Sequence, residues 1–206
     1  MLKNFRLKTM AIFVLFFIAV INNPMVFGQK GYESGYIITN SGDTLTGIVK
    51  DRKPPPFGKI YKKIYFKAEK SRRKKYGPHQ IRGYRQGNKF YESMWLNVSY
   101  DFFKQKYTSS PNIGEQQFLK LIVQGYLSFY QLEFEDQESD YVDAVDLFKR
   151  SDEDTMVRVT QGIFGLKKKK LAAYFQDCPE LVRKIEVGEM KDPVEIAYYY
   201  NHWKEN

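Results

Sequence analysis

Phe118-Leu119-Lys120-Leu121-Ile122-Val123-Gln124-Gly125-Tyr126-Leu127-Ser128-Phe129-Tyr130-Gln131-Leu132-Glu133-Phe134 is the stretch that decides how this chain folds. Gln124-Gly125 is a tight-turn signal between two β-forming runs, so the segment reads as a hairpin. In residues 118–123 the two alternating faces are both largely apolar. A strand apolar on one face sits on a half-solvated sheet, whereas one apolar on both is covered on both. This hairpin is therefore expected in the middle of a sheet, with helices over one side.

Upstream the same period of two recurs. Tyr36-Ile37-Ile38-Thr39 and Thr44-Leu45-Thr46-Gly47-Ile48-Val49 flank the turn Asn40-Ser41-Gly42-Asp43, in which Gly42 tolerates positive φ and Asn40 and Asp43 can bond the turn backbone. Pro54-Pro55-Pro56 excludes the next segment from a central strand. Residues 60–66 are a further strand candidate, and Gly87-Asn88 joins strands at 81–86 and 89–95. Downstream, residues 141–148 and 156–160 are weaker strands.

After Gly162 the apolar period lengthens to about 3.6. Leu171, Tyr174 and Phe175 share a helical face behind Lys167 to Lys170. Asp177-Cys178-Pro179-Glu180 reads as a helix start with Asp177 as N-cap, and Gly188 as its stop. Asp192-Pro193-Val194-Glu195 repeats the signal and opens a last helix carrying Ile196, Tyr199, Tyr200 and Trp203. The expected class is α+β: an antiparallel, strongly curled or partly closed sheet of about 8 strands followed by two or three C-terminal helices. Residues 29–206 are expected to be one domain, β-rich over 29–162 and helical over 163–206.

The N-terminus has the three parts of an export signal. Lys3, Arg6 and Lys8 precede 12 uncharged apolar residues at 10–21, and Asn22-Asn23-Pro24 opens a polar segment with cleavage expected between Gly28 and Gln29. Twelve residues fall short of the ~20 that a membrane anchor needs. No cysteine lies near the cut, which excludes a lipoprotein anchor, and no later stretch is apolar enough to span a bilayer. The mature chain is expected to be soluble and exported, to the periplasm first and the extracellular medium second.

Of 206 residues, 43% are hydrophobic and 17% aromatic, which rules out a disordered tail. The formal charge of +9 falls to +6 once the signal is removed, because the mature chain keeps 30 basic and 24 acidic residues. That excess is unevenly placed. Residues 50–92 hold 15 basic and 3 acidic side chains, a local +12, and residues 131–154 hold 2 basic and 10 acidic, a local −8. Lys62, Lys63, Lys70, Arg72, Arg73, Lys74 and Lys75, interleaved with Tyr61, Tyr65, Phe66, Tyr76 and Tyr84, form the candidate anion-binding patch. Bases and phosphates of nucleic acid would suit such a surface, but export argues against that partner. In an envelope it would meet lipid headgroups, an anionic polymer or an acidic protein face. The competing structural reading puts the aromatics in the core and the lysines in water. A third pairs the basic and acidic regions within the fold or across a dimer.

Residues 35–49, Gly35-Tyr36-Ile37-Ile38-Thr39-Asn40-Ser41-Gly42-Asp43-Thr44-Leu45-Thr46-Gly47-Ile48-Val49, resemble the opening hairpin of uncharacterised exported proteins common in Bacteroidota. The strand at 118–123, Gly125, Leu127-Ser128-Phe129-Tyr130, Phe175-Gln176-Asp177-Cys178-Pro179-Glu180-Leu181 and Tyr200-Asn201 are similar to later elements of that family. The resemblance implies export to the envelope of a diderm bacterium and implies no activity.

Candidate chemistry is sparse. Cys178 sits where a helix N-terminus could activate a thiol. A Cys–His site needs a base, however, and the histidines are His79 and His202, so the expected role is packing in the first helical turn. One cysteine makes no disulfide framework or cysteine-cluster zinc site, and two histidines 123 positions apart have no ligand spacing. Glu133, Glu135, Asp136, Glu138 and Asp140 lack the pattern of a calcium loop and read as a solvated connection. No catalytic or cofactor-binding motif is present, and no cofactor is expected. The leading expectation is a non-enzymatic binding or scaffold module of the envelope. The alternative is a small envelope enzyme or chaperone-like factor. A convergent pocket with two or more titratable side chains would favour the enzyme, and a flat basic or aromatic surface would favour binding.

Overall fold

Among the described residues, eleven antiparallel strands form one sheet that closes on itself over part of its width. They are β1 (Tyr32–Thr39), β2 (Thr44–Lys50), β3 (Ile64–Lys67), β4 (Lys74–Tyr76), β5 (Ile81–Gln86), β6 (Lys89–Asp101), β7 (Lys104–Thr108), β8 (Glu115–Val123), β9 (Leu127–Glu135), β10 (Val142–Arg150) and β11 (Thr155–Arg158). Three helices follow: α1 (Lys168–Tyr174), α2 (Pro179–Val187) and α3 (Pro193–Glu205). The computed structural model describes residues 31–52, 62–101, 104–135, 142–162 and 164–206. The expected cleavage at Gly28 and Gln29, the proline loop at 54–56, and Asp136, Glu138 and Asp140 lie outside the described residues. No helix among the described residues is long and apolar enough to cross a membrane.

The strand order is β4-β3-β2-β1-β5-β6-β7-β11-β10-β9-β8, and β8 also pairs with β6. That extra pairing turns β6, β7, β11, β10, β9 and β8 into a six-stranded barrel. β6 can serve both parts because it is 13 residues long. Its first residues pair with β5, residues 90–96 with β8, and residues 97–101 with β7. The expected strong curl is thus completed into closure, with three helices behind it. The strand number exceeds the expected eight or so, in part because β4 (Lys-Lys-Tyr) and β7 (Lys-Gln-Lys-Tyr-Thr) are short and polar and carry no apolar alternation. β4 is an edge strand, where lysines blunt further pairing.

Alternation along the barrel strands sorts their side chains into an inside and an outside. Leu96, Tyr107, Leu119, Tyr130, Val145, Leu147 and Met156 form one buried cluster with a member from every barrel strand, so they fill the interior. Their neighbours Phe129, Phe148 and Val157 face outward and pack with Leu171, Phe175, Leu181, Ile185, Ile196 and Tyr200 of the helical part. Tyr91 and Phe118 face outward on another sector and pack under Ile37, Val49, Ile64, Phe66, Ile81 and Tyr84 of the N-terminal strands. The hairpin at 118–134 is therefore apolar on both faces for the anticipated reason. All three clusters lie within Gly31–Asn206, one compact unit.

Gly35 and Gly47 stand opposite each other in the β1–β2 register. A Cβ at Gly35 would sit 1.9 Å from the Arg85 carbonyl oxygen of β5, and one at Gly47 would sit 2.3 Å from the Lys67 oxygen next to it on β3. Neighbouring backbone comes too close on either side for any side chain there.

The helix starts divide. Asp192 accepts from the Val194 N–H at 2.9 Å with Pro193 at the first turn, as expected of an N-cap. Gly188 ends α2 with φ 80°. Asp177, expected to cap α2, does not: Cys178 occupies the N-cap position and makes no side-chain cap bond. Asp177 instead accepts from Arg150 at 3.0 Å and from the Tyr200 hydroxyl at 2.5 Å. A largely covered cation that needs a partner outcompetes a helix end that water can satisfy.

These residues belong to a polar latch between helices and barrel. Arg150 of β10 lies under the rings of Tyr174 and Tyr200, at 4.4 and 5.2 Å, and donates to the Tyr174 carbonyl at 2.7 Å. The Asn201 amide accepts from the Leu127 N–H at 2.7 Å and donates to the Leu127 carbonyl at 2.9 Å, imitating a strand partner. A Cβ on Gly125 would lie 2.3 Å from the Asn201 amide nitrogen, so the glycine makes room for it. Each such bond contributes about 1 kcal/mol, against roughly 1.5–3 kcal/mol for each fully buried Leu or Phe. Apolar burial holds the helices down, and the latch fixes their register.

Candidate functional site

β2 leaves the sheet at Lys50, and the next two residues turn inward although both are charged. Among the described residues, Asp51, Arg52 and Gln86 are the polar ones buried as whole residues. The Arg52 side chain is 7% exposed and its ion-pair partner Glu133 of β9 is 6% exposed, with Nη2 and Oε2 3.0 Å apart. Arg52 Nε donates to the Tyr84 hydroxyl at 3.3 Å. That hydroxyl donates to Asp51, and Tyr91 donates to the other Asp51 oxygen at 3.3 Å. The guanidinium lies 5.3 Å from the Tyr91 ring centroid and 5.7 Å from that of Phe118.

This arrangement follows from the strands. Tyr84 of β5 and Tyr91 of β6 are cross-strand partners with stacked rings 4.6 Å apart, and their hydroxyls reach the end of β2 together. Burial disfavours the charge on Arg52, but Tyr84, Asp51 and Glu133 more than offset it, and the guanidinium holds its proton more firmly than usual. Burial, with the Asp51 carboxylate adding to it, raises both tyrosine hydroxyls far above their ordinary range. They remain neutral donors. Arg52 therefore ties the N-terminal strands to the barrel through a desolvated ion pair.

Above this pair opens a cleft of about 630 Å³, with Arg52, Glu133 and Phe118 as its buried part. Pro78, His79 and Gln80 form one wall, Glu115, Gln116 and Gln117 another, and Trp95, Lys62 and Lys63 also line it. Ser93 Oγ donates to the Pro78 carbonyl at 2.6 Å, fastening the β4–β5 connection to β6. His79 meets Trp95 edge to face at 5.7 Å. Lys62 approaches Glu115 only at 3.9 Å, with both side chains largely in water, so that contact contributes little.

The cleft offers an aromatic surface, side-chain amides and two exposed ammonium groups. Among the described residues that line it there is no serine, threonine, cysteine or tyrosine, and so no hydroxyl or thiol nucleophile. Its deepest carboxylate, Glu133, is engaged with Arg52. Among the described residues no group of three or more His, Cys, Asp or Glu is placed to hold a metal ion.

Of the candidate anion-binding residues, Lys62 and Lys63 line this cleft. Lys70 occupies a positive-φ position between β3 and β4, Arg72 and Arg73 follow it, and Lys74 and Lys75 lie in β4. Arg73 and Lys75 stack on Tyr65, at 4.7 and 5.1 Å. These five are not among the cleft's lining residues. Phe66 and Tyr84 are buried as the structural reading required, while Tyr65 is only half-buried. Glu133, expected in a solvated acidic connection, is a buried strand residue, because Arg52 supplies the charge that makes its burial tolerable. Cys178 is buried beside Phe175 and Leu181, and burial pushes its thiol pKa up, away from a nucleophile.

Arg52 and Trp95 were not singled out by sequence pattern, and His79 was weighed only as a base for Cys178 or a metal ligand. The one signal for Arg52 was regional, the opposite charge of residues 50–92 and 131–154, and the Arg52–Glu133 pair joins those regions. Comparison with protein-family models, with curated proteins and with solved structures finds no match to this chain.

Proposed function

We propose that this chain is an exported cell-envelope protein that works as a non-enzymatic binding module, holding its ligand in the cleft between the N-terminal strands and the barrel. The observation that carries this reading is the cleft floor, where the buried charges are already committed to each other. A general acid or base must be able to change its protonation in the working range. Arg52 cannot, and Glu133 is engaged as its ion-pair partner. The lining supplies recognition: Trp95 for a flat or ring-shaped group, Gln80, Gln116 and Gln117 for hydroxyl or amide groups, and Lys62 and Lys63 for negative charge. A segment of an envelope protein or of an anionic polymer would offer that combination. Export rests on the pattern of residues 1–28 and on the resemblance to exported Bacteroidota proteins.

The enzyme reading has one observation in its favour: His79, Glu115 and Lys63 open into the same cleft. Affinity capture of the tagged mature protein from native envelopes, with mass spectrometry of what it retains, separates the two. Binding predicts a species held by wild type, lost from Trp95→Ala and released with its mass unchanged. A retained species whose mass changes on incubation with wild type, but not with His79→Ala, would overturn the binding reading.

A further inference from the structure

A second cleft lies at one end of the barrel. The inward face of β6, β7 and β11 carries Leu96, Tyr107 and Met156, and alternation continues it to Tyr100, Gln105 and Arg158. Those three line a cleft of about 1050 Å³ together with Phe164 and Lys167 to Lys170. Five cations thus share one concavity, and no carboxylate is among the described residues that line it.

The fold does not account for this concentration. The first turn of α1 carries lysines and no acidic residue, the sign that the helix dipole disfavours. Lys168 donates to the Glu186 carbonyl at 2.9 Å and Arg158 Nε to the Thr160 carbonyl at 3.0 Å, so two of the five are also bonded to the backbone. Burial, with Lys167 and Arg158 adding repulsion, lowers the pKa of Lys170. The cluster is therefore a site where like charge is crowded and a bound anion would relieve it.

Two aromatic residues of the same cleft indicate how that anion is presented. Phe164 is 77% and Tyr100 is 69% exposed. Gly162 and Gly165, on either side of Phe164, have positive φ and nothing within 4 Å of an added Cβ, so the loop stands clear of the body. A small soluble phosphate would satisfy the lysines and leave Phe164 in water. A bilayer surface offers phosphates at the depth of the lysines and a less polar layer just beyond for the ring.

We propose that this cleft docks the protein on an anionic membrane surface, with Arg158 and Lys167 to Lys170 taking phosphate headgroups while Phe164 and Tyr100 enter the interfacial layer. The site is separate from the cleft above Arg52 and does not rest on the function assigned to it.

Vesicle co-sedimentation of the Gln29–Asn206 form, which contains all three core clusters, tests the proposal. Vesicles of phosphatidylethanolamine with about one third phosphatidylglycerol should retain the protein in a salt-sensitive way, and neutral phosphatidylcholine vesicles should not. The triple variant Lys167→Gln, Lys169→Gln, Lys170→Gln should lower the partition coefficient roughly a hundredfold. Phe164→Ser, on the exposed loop, should lower it roughly fivefold and carries the test if the triple variant fails to fold. The charge-matched variant Lys70→Gln, Arg72→Gln, Arg73→Gln should change it less than about twofold. The proposal is overturned by equal retention on neutral vesicles, by an equal loss in the charge-matched variant, or by wild-type retention of Phe164→Ser. Thermal stabilisation by inorganic phosphate without vesicle retention would also overturn it, assigning the cleft to a small anion.

Discussion

The C-terminal helices and the N-terminal strands cover different sectors of one barrel wall, and they hold to it by different means. Under the helices lies a continuous apolar cluster from Val123 to Tyr200, with hydrogen bonds at its margin. Beneath the N-terminal strands the apolar cluster is smaller, and a charged network of Asp51, Arg52 and Glu133 passes through the contact. Hydrophobic contact tolerates small adjustments, because it is non-directional. A desolvated ion pair does not, because each partner is costly once the other is gone. The cleft opens beside the second kind of contact. A pocket needs walls that keep their shape without being filled, and the Arg52–Glu133 pair supplies a floor that cannot close over it.

The largest expected effect breaks that floor. Arg52→Ala removes the buried guanidinium that faces Asp51 and Glu133 and should cost about 3–5 kcal/mol, read from denaturant midpoints. Under the helices, Asn201→Ala removes both bonds to Leu127 and should cost about 1–3 kcal/mol. An Asn201 variant as damaging as the Arg52 variant would erase the contrast between the two contacts.

Alkaline pH separates them less sharply. Tyr84 and Tyr91 under the strands, and Tyr174 and Tyr200 under the helices, all have hydroxyl pKa values raised chiefly by burial. Because the folded values lie above the unfolded one near 10, stability is fully present below about pH 10 and falls as pH rises past it. Each buried tyrosine adds up to about 1.4 kcal/mol per pH unit to that fall. Melting temperatures flat to about pH 10 and declining beyond it are the expected outcome. A decline beginning near pH 8 would mean that these hydroxyls are not held neutral.

The helical part was legible because its signals are local. Pro193 behind Asp192, and Gly188 in the left-handed region, act within one turn of where they stand. The two-faced hairpin at 118–134 was legible too, since its alternation reports cover on both sides. Partial closure of the sheet was expected, but the strands that close it were not legible, because closure depends on β6 pairing with β8 across the intervening β7, and β7 itself is polar. The same distance hid the site. Arg52 and Glu133 are 81 positions apart, and each sits in a run of like charge whose usual fate is solvation. Lys167 to Lys170 read only as the approach to a helix; the missed signal was four cations at an end where cations are disfavoured, three residues beyond an exposed Phe164.

A double-mutant cycle on Arg52→Met and Glu133→Leu, read by denaturant unfolding, tests most directly the claim that a desolvated ion pair holds the N-terminal strands on the barrel. Each single variant should be strongly destabilised. The double should be less so than their sum by at least about 1 kcal/mol, because neither charge is then buried alone. Additive losses would contradict the account.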